Sequence, residues 1–484
     1  MDAQFVSRRR VLVSRPRHQA LGLLVADVLV SLHVARSSGA ALVLLRSEER
    51  ADSPLLRLRC SGITWIDPRS PAGQIATAKF LLGLRTSAAW LWVLDWRNHG
   101  ISLAQRLFRF VHPRVNGFLE LCTDVEAISK RRWNTFLRIV IRWCHTDRRR
   151  PLPAWLVAIE GLKFQDTTAT KMNVRVRWKQ TGGRVNDWLE ELRPVLPRRS
   201  EVHHGFDIRE LSLTQPLHAH LADEDEAAAA AVAADLGLDR EKLVVLHVRE
   251  GSTKATAGIE DRSKDTVRNA DIGTFIPAID EIVARGYTVV RIGDPSMRPL
   301  ERAGVIDLAT HQRRTQALEL WCLARCAFFI ASDSGPYLLS WLFEVPCLSV
   351  NITNTLGVFP LRPADRYLVK RLRDIATGQL VPLVTMLRED FIYGIRRHIF
   401  KTGEVEYVDN TPEEILAGVR EMFDAVGGSA PPESEAQRRY AGLVRKARQG
   451  ALSQAKMLEK TGSAEIFLGD GRVVHAFAAV HFDA

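Results

Sequence analysis

Three stretches of this chain end an apolar run in side chains that can bind an anion. Phe328–Ala331 runs into Ser332-Asp333-Ser334-Gly335-Pro336. The run Leu243–Leu246 ends in His247-Val248-Arg249, and Tyr287–Val290 leads to Arg291-Ile292-Gly293-Asp294-Pro295. The first stretch admits several chemistries. A nucleophile elbow requires G-x-S-x-G between strand and helix, but Ala331 stands at the first glycine. A phosphate loop of the G-x-x-x-x-G-K-[ST] type requires a lysine that is absent. What remains is a strand-to-helix turn with Pro336 in the first helical position. Free N–H groups at such a start, at Tyr337 and Leu338 for example, favour an anion, and Ser332 and Ser334 add hydroxyls. The same residues also suit a plain helix cap. Asp333 repels a phosphate unless it turns away, to a ribose or sugar hydroxyl.

His247 and Arg249 share one face of a strand, and the planar fork of Arg249 matches phosphate oxygens. The alternative for His247 is a satisfied core histidine. The elements needed to position these groups follow from the hydrophobic pattern. Strands are expected at Val11–Ser14, Ala41–Leu45, Ala88–Trp96, Leu243–Val248, Tyr287–Gly293, Val305–Ala309, Ala327–Ala331 and Cys347–Val350. Helices are expected at Leu23–Val34, 222–237, Ile272–Arg285, Thr315–Cys326, Tyr337–Phe343 and Thr411–Asp424. Strand–helix alternation with short connections describes an α/β chain with a doubly wound parallel sheet. In such sheets ligands bind beyond the carboxyl ends of strands, where Arg249, Gly293, Asp294, Ser334 and Asp95 all fall.

The 484 residues exceed one ordinary core, and 46% hydrophobic with 25% charged content is that of a globular chain. The boundaries drawn are 1–200 and 201–426, followed by a linker and helical tail at 427–484. The six cysteines form no CxxC pair and no zinc-ligand spacing, which points to a reducing, cytoplasmic setting without a metal. Arginines and Asp27 interrupt the N-terminal apolar segments, so neither a cleaved leader nor a membrane span is expected. The net charge of +11 implies an anionic partner, and residues 101–150 carry 11 Lys/Arg against 4 Asp/Glu. Within 128–144 the apolar residues Trp133, Phe136, Leu137, Val140, Ile141 and Cys144 share one helical face. That helix faces either a core or an anionic membrane surface. No nucleic-acid-binding signature accompanies the charge.

Taken together, His247-Val248-Arg249, Arg268-Asn269-Ala270-Asp271-Ile272, Gly293-Asp294-Pro295-Ser296-Met297, Ser334-Gly335 and Val345-Pro346 resemble, in kind and order, the motifs of a bacterial glycosyltransferase family. That family is similar to a branch of the GT-B glycosyltransferases. His247-Val248-Arg249 is similar to the H-x-R motif of fucosyltransferase-like enzymes, and the Ser-Gly turn to the donor-phosphate turn of heptosyltransferases. Val267 and Glu344 depart from the pattern, standing where an aromatic residue and a glycine are usual. The resemblance implies two Rossmann-like domains facing across a cleft, nucleotide-sugar in the C-terminal one and acceptor in the N-terminal one. It implies donor-site roles for His247, Arg249, Arg268, Asn269, Asp271, Gly293, Asp294, Ser332, Asp333, Ser334 and Gly335. Asn269 and Asp271 equally suit a helix cap. No metal or other cofactor is implied. A base for the acceptor hydroxyl would come from His18, Asp27 or Asp95. The expected activity is sugar transfer to a surface glycan or lipid-linked acceptor, with the basic 96–150 region at the inner membrane. A sugar-nucleotide epimerase or hydrolase, and a non-catalytic nucleic-acid-binding protein, are the competing readings.

Overall fold

The computed structural model describes residues 11–16, 21–44, 53–68, 70–73, 212–250, 266–353, 362–388, 402–454 and 470–482, with short strand segments at 156–160, 163–164, 174–175, 199–200 and 205–206. His18, Asp95, the 96–150 region and the helix expected at 128–144 lie outside these residues. The N-terminal part contains β1 (Val11–Arg15), α1 (Leu21–Ser38), β2 (Ala41–Leu44), β3 (Thr64–Trp65) and β4 (Leu156–Glu160). Its strands run in the order β3-β2-β1-β4, all parallel.

The second part opens with α2 (Asp223–Asp235), β5 (Leu243–His247), α3 (Ile276–Ala284), β6 (Thr288–Arg291), β7 (Val305–Asp307) and α4 (Gln316–Arg325). It continues with β8 (Phe328–Ser332), α5 (Leu338–Leu342), β9 (Cys347–Ile352), β10 (Arg366–Val369), β11 (Arg371–Asp374) and β12 (Val405–Val408). It closes with α6 (Pro412–Val426), α7 (Glu435–Gln454), β13 (Arg472–Val473) and α8 (His475–Phe482). Seven parallel strands form one sheet, β7-β6-β5-β8-β9-β10-β13, while β11 and β12 pair as an antiparallel ribbon.

Helices cover both faces of the large sheet, which explains its unbroken apolar strands. Leu243, Val245, Phe329 and Ala331 enter one core cluster; Val244, Leu246, Phe328 and Ile330, from alternate positions, enter the other. Local chemistry sets the helix ends. The Thr411 hydroxyl accepts the Glu414 N–H and the Glu414 carboxylate accepts the Thr411 N–H, the reciprocal box anticipated before Pro412. Gly237 and Gly286, with φ of +66° and +80°, end α2 and α3 in the left-handed conformation.

Three features bear on the expected layout. The helix expected over Tyr337–Phe343 is a 3₁₀ turn, Gly335–Tyr337, followed by the five-residue α5. The described residues of 427–484 pack onto the large sheet. Arg472 and Val473 pair with Arg366 and Tyr367 as the outermost strand, and Tyr440, Val444, Phe477 and Ala478 are buried in the sheet's second core. Finally, described residues from before and after residue 200 share one core. One apolar cluster includes Leu24, Leu29 and Leu32 of α1 together with Leu338, Trp341 and Leu342 of α5. Arg57 and Arg59 also pair with Asp225 and Asp223 in the first turn of α2, each at 2.6 Å. No described helix is long and apolar enough to cross a membrane.

Candidate functional site

The chain lays down β5, β6 and β7 in one direction and then returns to place β8 on the other side of β5. Diverging connections open a crevice at such a reversal, beyond the carboxyl ends of the two central strands. His247 and Ala331 are register partners across them, so Arg249 falls beside Ser332 and Asp333. The Arg249 N–H donates to the Ser332 hydroxyl at 2.7 Å, fastening the two strand ends.

Residues 268–271 cross over these ends and are held at each position. Arg268 Nε donates to the Asp333 carbonyl at 3.0 Å and to its carboxylate at 3.2 Å. Arg249 Nε donates to the Asn269 side-chain oxygen at 3.1 Å, and the Ala270 N–H donates to the Arg249 carbonyl at 3.0 Å. The Asp271 N–H donates to Asp409. The neutral Asn269 amide oxygen takes Arg249 Nε and so helps to set the direction of the guanidinium.

Asp333 is fully engaged within the protein. One carboxylate oxygen accepts from Arg268; the other accepts the Thr353 N–H at 3.0 Å and the Thr353 hydroxyl at 2.5 Å. Its charge is thus spent joining β8 to the end of β9. The cap reading of Ser334 fails: this buried residue makes no side-chain cap bond. The N–H groups of Tyr337 and Leu338, expected to be free, instead close the 3₁₀ turn on the carbonyls of Ser334 and Gly335. Gly335 opens that turn, and its own N–H is the one the turn cannot satisfy.

His247 is buried, and its Nδ1 lies 3.2 Å from the Ile292 carbonyl. A carbonyl only accepts, so Nδ1 carries the proton and Nε2 is an acceptor, without a partner among the described residues. Burial holds its pKa down to about 4, which keeps the ring neutral near pH 7. The remaining expected positions make contacts within the protein. Asp294 accepts from the Ser296 N–H and hydroxyl and so closes its own turn. Gly293 makes room for Met297, whose sulfur would lie 2.4 Å from an added Cβ. Asp271 caps the 3₁₀ helix Ile272–Phe275 through the Gly273 N–H. Arg291, at the third strand end, is fully buried between Glu250 and Asp307.

Two contributors were not anticipated. Lys370, buried just beyond β10, donates to the Asn269 carbonyl and contacts Asp409, both at 2.6 Å. Gly22, in the first turn of α1, meets Gly335 backbone to backbone: a Cβ on either would lie 2.6–2.7 Å from the other's Cα. Only glycine permits that approach. The single glycine of Leu21-Gly22-Leu23 and the Val369-Lys370-Arg371 strand junction are too slight a pattern to mark either contact in the sequence. Glu344, the departure from glycine, has φ of +60° and uses its side chain to accept the His218 N–H at 2.7 Å. Asp27 falls within α1, but its side chain is not among those described. Among the described residues no group of three His, Cys, Asp or Glu is disposed to hold a metal ion.

No family model and no curated protein matches the chain. Among solved structures, it is similar to a family 9 glycosyltransferase from Veillonella parvula DSM 2008, at 12% identity and a TM-score of 0.41 over 85% of this chain and 97% of that one. It is also similar to ADP-heptose LPS heptosyltransferase II of E. coli, at 13% identity and a TM-score of 0.39 over 87% of this chain and all of that one. At those scores the overlap does not define a family for the chain.

Proposed function

We propose that this chain is a glycosyltransferase of the GT-B type, with its donor diphosphate held at the reversal between β5 and β8. The observation that carries this reading is the placing of Arg249. It stands at the carboxyl end of a central strand, oriented by a neutral amide, beside the Ser334–Gly335 turn. In transfer from a nucleotide-sugar, the acceptor hydroxyl attacks the anomeric carbon and negative charge builds on the departing diphosphate. A preorganised guanidinium and the Gly335 N–H, the one the turn leaves over, stabilise that charge. Arg268 has its charge matched by Asp333 and serves to hold the turn. His247 is buried and held neutral, so it supplies no cation for a phosphate. The acceptor and its base belong to the N-terminal half, where His18 and Asp95 are the proposed bases. The basic 96–150 region would face a lipid-linked or anionic glycan on the inner face of the cell membrane.

The test is an assay of nucleotide release from UDP-, GDP-, CMP- and ADP-sugars with a bacterial lipid extract as acceptor. One of these donors is expected to turn over. Arg249→Ala is expected to lower turnover by about 10²–10³-fold at an unchanged melting temperature. Unchanged turnover would overturn the phosphate role, and epimerised sugar without acceptor would replace transfer by epimerisation.

A further inference from the structure

We infer that Lys370 is a positioning residue for Arg249, acting through Asn269. The inference rests on the diphosphate role of Arg249 proposed above and adds what sets that side chain's direction. Lys370 is 3% exposed, and its ammonium has two contacts at 2.6 Å, the Asn269 carbonyl and the Asp409 carboxylate. Burying an ammonium is costly unless it is paired and hydrogen-bonded, so this contact set is firmly constrained. Asp409 also accepts the Asp271 N–H, so the ammonium and carboxylate grip both sides of Ala270. Ala270 in turn donates to the Arg249 carbonyl, and the Asn269 side chain takes Arg249 Nε. The connection runs from Lys370 through the Asn269 backbone to the Asn269 amide and ends on the guanidinium. Backbone of 268–271 that shifts on losing Lys370 carries the Asn269 oxygen away from Nε. A guanidinium binds phosphate through a fixed fork, so a lost direction costs affinity without any loss of charge at the site.

A double-mutant cycle tests the inference on the full chain. Binding of ADP, GDP and UDP is measured by calorimetry, and the tightest is carried into the variants. Lys370→Met keeps the aliphatic stem and removes the ammonium. Asn269→Ala, at a half-buried position, removes only the side-chain contact to Arg249 and covers the case in which Lys370→Met does not fold. Each is expected to weaken nucleotide binding about tenfold, the effect of one hydrogen bond to a charged group. In an Arg249→Ala background each is expected to change it less than about twofold, because the group they position is gone. A purely structural role would lower the melting temperature without this non-additivity. If Arg249→Ala weakens binding but Lys370→Met and Asn269→Ala do not, the inference fails while the diphosphate reading stands. Additive losses in the Arg249→Ala background also overturn it, since they mean direct contact with the nucleotide. If Arg249→Ala binds like the unaltered chain, or no nucleotide binds at all, the diphosphate reading fails and takes the inference with it.

Discussion

Asp333 illustrates how much of this site a sequence can and cannot reveal. A carboxylate in a strand-to-helix turn with candidate anion ligands looks like a ribose ligand when its neighbours in space are unknown. The partners that give it another role, Arg268 and Thr353, are 65 and 20 residues away along the chain. Residue types and strand-end positions could be read from local pattern; pairings over such separations could not. Asp333→Asn is therefore expected to act on stability, losing about 1–3 kcal/mol in urea unfolding because Arg268 is left without its ionic partner. A raised donor KM at full stability would instead make Asp333 a substrate ligand. Two buried histidines add a pH dependence. Burial lowers His247 to about 4 and His33 to about 3, both below the ordinary 6.5. A lowered pKa means that the unfolded chain binds the proton more readily. Their contribution is whole above about pH 6.5 and is lost as the pH falls towards 4 and then 3, about 3 kcal/mol for His247. Urea midpoints at pH 7, 5 and 4 should fall steeply, and His33→Leu should flatten the fall; an unchanged slope in that variant would refute its share.

At the scale of elements, strands and helices of the second half were legible because both sheet faces are covered and each strand is a short apolar run with a polar end. The capping box at Thr411 and Glu414 was legible for the same local reason. The strand Arg472–Val473 was not, since two residues carry no period and its place depends on pairing with Arg366 and Tyr367. Nor was the contact of α1 with the turn after β8, which depends on Gly22 and Gly335 meeting across more than half the chain. Gly22→Ala inserts a methyl 2.6 Å from a backbone atom, and overpacking of that kind costs about 1–3 kcal/mol. Gly442→Ala is the control: nothing lies within 4 Å of the added methyl, and α7 gains up to about 1 kcal/mol of helix propensity. Urea unfolding of the two variants should move in opposite directions; a neutral Gly22→Ala would mean that the turn does not rest on α1.

The whole chain carries a parallel 3-2-1-4 strand order twice, once in each sheet, and one core cluster runs between them. The Ser334–Gly335 turn is therefore braced from both sides, by α1 through Gly22 and by the second core behind β8. The described C-terminal residues pack against the second core. A chain ending at residue 426 would leave β10 as an open edge and uncover Tyr367, Leu368 and Val369, all buried in the full chain. Such a truncation is expected to lose cooperative melting or to aggregate; a sharp transition at the temperature of the full chain would show that 427–484 is dispensable.

The diphosphate role of Arg249 is tested most directly by calorimetric titration of ADP, GDP and UDP into the full chain and into Arg249→Ala. One nucleotide should bind the unaltered chain, and the variant should bind it at least about tenfold more weakly while melting at the same temperature. Equal affinity in the two proteins would contradict a diphosphate held at the end of β5.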